Sequence, residues 1–238
     1  MGYEQIAAVD LGSNSFRLQI GRVVGDQIYP LDTLKEPVRL ASGLTSEKQL
    51  DAVTQQRALE TLSRFAERLR GFQADAVRVV ATNTLRVAKN AKFFIPLAEA
   101  TLGFPIEVIG GREEARLIYI GAAHALPAAS HRRLVFDIGG GSTEFIIGKR
   151  HDPQIMESLF MGCVSYSLRY FADGFVDKQS LREAELAALS FSIVAINGWN
   201  RLAIGFRSEV GGHVARAGGD RFPRPVRDGR RLHLVFRG

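Results

Sequence analysis

Apolar and polar residues alternate in two short stretches of this chain, and the two stretches match. The first reads Val9-Asp10-Leu11-Gly12-Ser13-Asn14-Ser15-Phe16-Arg17-Leu18-Gln19-Ile20-Gly21-Arg22. The second reads Phe136-Asp137-Ile138-Gly139-Gly140-Gly141-Ser142-Thr143-Glu144-Phe145-Ile146-Ile147-Gly148-Lys149. Each predicts an apolar strand ending in Asp, a turn of Gly, Ser, Asn or Thr, and an apolar return strand closed by Gly and a cation. The alternation of Phe16, Leu18 and Ile20 is what a strand packed on one face requires.

The pattern between and beyond these hairpins predicts two lobes. Residues 23–44 read as a third strand and a loop around Pro37. Ser46-Glu47-Lys48-Gln49 reads as a capping box before a long amphipathic helix that runs to about Arg70, where Gly71 stops it. Its apolar face comprises Leu50, Val53, Ala58, Leu62, Phe65, Ala66 and Leu69. A buried strand over 76–81 delivers Thr82-Asn83-Thr84-Leu85-Arg86 at its C-terminal end, where open α/β sheets present ligand-binding groups. A helix over about 90–102, a strand over 105–109 and a helix opening at Arg112 follow. After a connection at 124–133, the second hairpin restarts the series with a third strand at 154–159, a helical stretch past Val164 and a helix over 178–189. The order βββαβαβα is that of a ribonuclease H-like lobe. Domain bounds of 1–125, 126–205 and 206–238 follow, the last being an atypical Arg/Gly-rich tail.

Composition narrows the class. Hydrophobic residues make up 46% of 238, enough for real cores. No stretch is long and apolar enough for a bilayer, and the start lacks the pattern of a signal peptide, so the expected location is cytoplasmic with no membrane insertion. A single cysteine, Cys163, excludes a disulfide framework and a Cys-rich metal site; its apolar neighbours predict a small buried hydrophobe. The net charge of +6 does not point to nucleic acid, because residues 1–200 carry 22 cations and 22 acids. The excess lies in residues 201–238, with nine Arg, three acids and no Lys. His124 and His131 have no ligand-like spacing and read as solvated loop residues.

The chemistry is in the repeated turn. Clustered backbone N–H groups without Cβ atoms in the way form an anion nest, and an Asp at its edge can hold a divalent cation over the same phosphate. Two such turns predict two lobes gripping one phosphorylated ligand from opposite sides. Gly12, Ser13, Asn14, Gly139, Gly140, Gly141 and Ser142 are the candidate phosphate-binding groups. Arg86 can fork onto a phosphate, and Asp10, Asp137 and Glu144 are hard oxygen ligands suited to Mg²⁺, directly or through water. Each has a plainer reading: the Asp residues as turn caps, Glu144 as half of a cross-strand pair, Arg86 as a surface charge. Glu113 and Glu114 both stand at a helix start, and either could face the cleft as general base.

Taken in order, five motifs resemble the exopolyphosphatase / guanosine pentaphosphate phosphatase family of the actin–Hsp70–sugar kinase superfamily. They are residues 10–15, Ala81-Thr82-Asn83-Thr84-Leu85-Arg86-Val87-Ala88-Lys89-Asn90, Gly111-Arg112-Glu113-Glu114-Ala115-Arg116, residues 137–144, and Met161-Gly162-Cys163-Val164-Ser165. The helix through Phe65-Ala66-Glu67-Arg68-Leu69-Arg70-Gly71-Phe72 looks closer to the exopolyphosphatase branch. The resemblance implies a two-lobed α/β fold and hydrolysis of the terminal phosphoanhydride of polyphosphate or of guanosine pentaphosphate. It implies Mg²⁺, with K⁺ as a further ion, and admits a homodimer. The family pattern places the functional Glu directly before the Ala-Arg pair, which selects Glu114 over Glu113. An actin-like ATPase or sugar kinase, a non-catalytic polyphosphate or alarmone sensor, and an inactive fragment are the rival readings.

The resemblance stops at about residue 205. Phe206-Arg207-Ser208-Glu209 stands where the family carries an Ala-Ser-Gly-Thr type motif, and residues 206–238 suit an out-of-frame reading of a GC-rich gene. The expectation is a second lobe that is incomplete, less ordered than the first or covered by a partner chain.

Overall fold

A computed structural model describes residues 4–25, 27–127 and 131–202, with side chains to residue 190. The expectations for residues 206–238 lie outside the described residues. The first hairpin is β1 (Gln5–Leu11) and β2 (Phe16–Val24), extended by β3 (Gln27–Glu36). Then come α1 (Ala52–Arg68), β4 (Val77–Ala81), the single turn α2 (Asn83–Val87), α3 (Ala91–Leu102) and the two-residue β5 (Glu107–Val108). The sheet order is β3-β2-β1-β4-β5, with β1 antiparallel to β2 and parallel to β4. This is the ribonuclease H-like order expected from the sequence.

α1 and α3 cover one face of this sheet. Phe16, Leu18, Phe65, Phe94 and Leu62 are fully buried between the layers. Two details of α1 differ from the reading. Its N-cap is Asp51, whose carboxylate accepts from the Thr54 N–H at 2.7 Å, so the helix begins five residues beyond the expected Ser46 cap. Val53, read as part of the apolar face, is 74% exposed. Gly103 closes α3 with φ 84°, a conformation that costs glycine nothing.

The second sheet, β6 (Arg132–Ile138), β7 (Thr143–Lys149) and β8 (Asp152–Leu159), is wholly antiparallel and repeats the start of the first. α4 (Gly111–Ala125) packs on this second sheet, burying Ala115, Tyr119 and Ala123 against Val135 and Ile146. The sequence reading ended the first lobe at 125. The helix packs with the second lobe, which places the division before α4, because its buried stripe fits the cover of β7 and β8. α5 (Cys163–Tyr170) and α6 (Lys178–Leu202) complete the described chain. α6 runs through Gly198-Trp199-Asn200, well past the expected end at Leu189. No described helix is long and apolar enough to cross a membrane.

Candidate active site

The two Gly-rich turns face each other across one cavity of about 210 Å³. Asp10 and Asp137 are each the last residue but one of the first strand of their sheet, and Gly12 and Gly139 hold the same place in each turn. A Cβ on Gly12 would lie 2.9 Å from the Ser15 carbonyl, and one on Gly139 would lie 3.0 Å from the Ser142 carbonyl. The facing turns also touch: a Cβ on Gly141 would collide with the Asn83 side chain and lie 3.0 Å from Ser13 Oγ. A side chain there would have to push the Asn83 amide aside.

Neighbouring elements take up the turn carbonyls. In the first lobe the Arg39 and Ala41 N–H groups donate to the carbonyls of Asn14 and Ser13, at 2.7 and 2.9 Å. In the second, the Cys163 and Val164 N–H groups at the start of α5 donate to Gly139 and Gly140, each at 2.9 Å. Carbonyls tied to neighbouring elements are what an anion nest requires, since the N–H groups must face the phosphate. Ser13 is held further by the Thr84 hydroxyl, which donates to its Oγ at 2.8 Å in a buried contact.

Register extends the site across each sheet. Asp10 lies opposite Arg17 on β2, and Arg17 opposite Lys35 on β3. Asp137 lies opposite Glu144 on β7, and Glu144 opposite Ser158 on β8. Arg17 and Lys35 both line the cavity on the same sheet as Asp10, while Asp137 and Glu144 line it from the second sheet. Like charges directly opposite on a sheet repel; Asp10 opposite Arg17 offsets part of that cost, and a bound anion would offset more. The Arg17 Nε is buried with no hydrogen-bond partner among the described residues.

Glu114 sits on the first turn of α4 and reaches into the cavity, with 15% of its side chain exposed. Burial pushes its carboxyl up to about 8; Glu144 and Asp10 push the same way, and Arg86 opposes them. Glu144 is 1% exposed, and burial raises it to about 7, against the bonds it accepts from Ser158 and Ser142. Glu113 turns away into a bidentate pair with Arg116, at 2.7 and 2.8 Å, which holds its carboxyl below the usual range. The geometry puts Glu114 in the cleft and Glu113 on the surface.

Of the candidate residues, Asp10, Gly12, Ser13, Asn14, Glu114, Asp137, Gly139, Gly140, Gly141, Ser142 and Glu144 line one cavity. Arg86 does not. Its guanidinium donates to the Ile109 carbonyl at 2.8 Å and meets Glu114 at 3.4 Å, so it backs the carboxylate from behind. Cys163, expected to be buried, is exposed at the start of α5 and lines the cavity, because the preceding Gly162 packs against Gly140 and turns the chain outward. Thr82, at the ligand-presenting end of β4, also lines the cavity, and Arg17 and Lys35 are lining residues with no place among the candidates. The register of β2 with β3, which brings Lys35 in, has no signature in the sequence.

No three Asp, Glu, His or Cys side chains among the described residues converge at metal-ligand spacing. Asp10, Asp137 and Glu144 therefore do not form a three-carboxylate cage. A cation here would have to take one or two carboxylates and complete its shell with water and phosphate oxygens, which Mg²⁺ accepts.

The profile of the Ppx/GppA phosphatase family matches residues 19–195. The chain belongs to the Ppx/GppA phosphatase family. An exopolyphosphatase-like protein of known structure is 29% identical, with a TM-score of 0.74 over 82% of this chain and 62% of that one. An exopolyphosphatase from Cytophaga hutchinsonii is 26% identical, with a TM-score of 0.71 over 85% and 64%. The Aquifex aeolicus member of the Ppx/GppA family is 26% identical, with a TM-score of 0.63 over 79% and 60%. The chain thus spans somewhat under two thirds of these relatives. The fold is the two-lobed ribonuclease H-like fold of the actin-like ATPase superfamily, its second sheet three-stranded among the described residues.

Proposed function

We propose that this chain removes the terminal phosphoryl group of linear polyphosphate as orthophosphate. The observation that carries the reading is Glu114, a carboxylate held between two facing anion nests with Arg86 behind it. In the proposed step the Glu114 carboxylate takes a proton from a water placed in line with the terminal phosphorus. The water oxygen bonds to phosphorus, the bridging P–O bond breaks, and the electron pair stays with the shortened chain. The turns from Gly12 to Asn14 and from Gly140 to Ser142 would offer N–H groups to the non-bridging oxygens, whereas the Gly139 N–H, expected among them, donates to the Ser142 carbonyl at 2.9 Å and closes its own turn. Arg17 and Lys35 suit the adjoining phosphates.

Asp10 and Asp137 would hold Mg²⁺, with Glu144 reached through water, and the ion would neutralise charge on the reacting phosphates. K⁺ is a further expected ion. Guanosine pentaphosphate stands as the second substrate. Incubating the protein with long-chain polyphosphate and Mg²⁺ and measuring orthophosphate tests the reading. Release is expected; binding without release would make this chain a sensor.

A further inference from the structure

We infer that Ser158 is a positioning residue that fixes the Glu144 carboxylate against Glu114. The inference deepens the proposed reaction and rests on that reading for its catalytic consequence, while the placement itself rests on contacts within this chain. Ser158 lies directly opposite Glu144 in the β7–β8 register, so their side chains share a face. Its hydroxyl donates to Glu144 Oε1 at 2.7 Å. A carboxylate only accepts, so this hydroxyl proton is committed to Glu144.

The same serine carries the start of α4. Gly111, the first residue of that helix, rests so close to Ser158 that a Cβ on it would lie 2.6 Å from Ser158 Cβ and 2.7 Å from its Oγ. That point is 3.6 Å from Arg86 Nη2, and the other terminal nitrogen of Arg86 meets Glu114 at 3.4 Å. One residue to either side, Arg112 pairs with Glu157 at 3.5 Å. Ser158 therefore touches both parts that carry the two buried carboxylates: it holds Glu144 through its hydroxyl and seats the α4 turn bearing Glu114 through its Cβ. Ser142 also donates to Glu144, but Ser158 alone both donates to that carboxylate and seats α4, and serine meets both demands. Threonine would drive its extra methyl toward Gly111, and alanine would keep the seat but lose the donor.

A double-mutant cycle of Ser158→Ala and Glu144→Gln tests this, read in two ways at pH 8.5. In thermal unfolding, Ser158→Ala should lower the midpoint by about 2–4 °C in the parent. In the Glu144→Gln background that drop should shrink to about half, because a bond to a neutral amide is roughly half as strong as one to a carboxylate. An equal drop in both backgrounds would overturn the inference whether or not the protein has activity. In polyphosphate turnover, Ser158→Ala should cut kcat about tenfold to a hundredfold, with KM within about twofold and no further loss when added to Glu144→Gln. An unchanged kcat beside an active parent would also overturn it. An inactive parent would instead contradict the proposed hydrolysis, and the thermal cycle would still decide the placement of Glu144.

Discussion

Glu114 acts in opposite directions on stability and on chemistry. Its carboxyl rises from the usual 4.5 to about 8 in the folded chain, chiefly through burial. Between those values the folded chain holds a proton that the unfolded chain has released, so stability falls as pH rises through that window. Glu144, raised to about 7, adds to the same trend. Thermal midpoints should therefore decline from about pH 5 to pH 8, and Glu114→Gln should flatten the decline. Turnover runs the other way: the base works only when ionised, so kcat/KM should climb toward pH 8 and be lost on acidification. At the opposite wall, Lys35→Ala should raise KM for polyphosphate about tenfold, the scale of a lost charge-assisted contact, and leave the thermal midpoint within a few degrees. A KM unchanged by that substitution would remove Lys35 from the substrate path.

The residues most legible in the sequence were those the repeat marks twice, Asp10 with Gly12 and Asp137 with Gly139. Glu114 was legible only as one of two neighbours, because helical spacing cannot say which of two adjacent side chains turns inward. The Glu113–Arg116 pair settles that choice. Lys35 was hidden because strand register is fixed by contacts far apart in the chain.

Among elements, α1 shows how a plausible cap can mislead. Ser46 and Gln49 satisfy the capping-box spacing, yet they lie in the loop before the helix, where the Gln49 N–H donates to the Thr45 hydroxyl at 3.1 Å. Asp51 does the capping, and Asp51→Ala should destabilise the fold by about 1 kcal/mol, measured by denaturant unfolding. Ser46→Ala should change little. α4 shows a different limit. The stripe of Ala115, Tyr119 and Ala123 announces a buried face, but nothing in it says which sheet is covered. The seat of Gly111 on Ser158 decides that, and it is a contact between segments almost fifty residues apart. Gly141, by contrast, was legible as a turn residue, though not as the point where two lobes meet.

At the scale of the whole molecule, the lobes differ in how much they bury. The first core joins β1, β2, β4, α1, α2 and α3 around Phe16, Phe65 and Phe94. The second is a smaller cluster centred on Tyr119 and Ile146. Along α5 and α6, Leu168, Leu181, Leu186 and Leu189 are about half exposed, and Phe175, between the two helices, is 75% exposed. Burial of this kind sets the free energy of local opening. Amide exchange should therefore be slowest in β1, β2 and β4 and markedly faster in β6 to β8. Equal protection in both sheets of a monomer would contradict that ranking. The site lies at the junction of the two lobes, with the Glu114-bearing helix seated on the less buried sheet.

Orthophosphate release from long-chain polyphosphate with Mg²⁺, compared between this chain and Glu114→Gln, is the most direct check on Glu114 as the base. Release in the parent should fall at least about a hundredfold in the variant, with polyphosphate binding retained. Undiminished release in Glu114→Gln, or binding without any release in the parent, would contradict it.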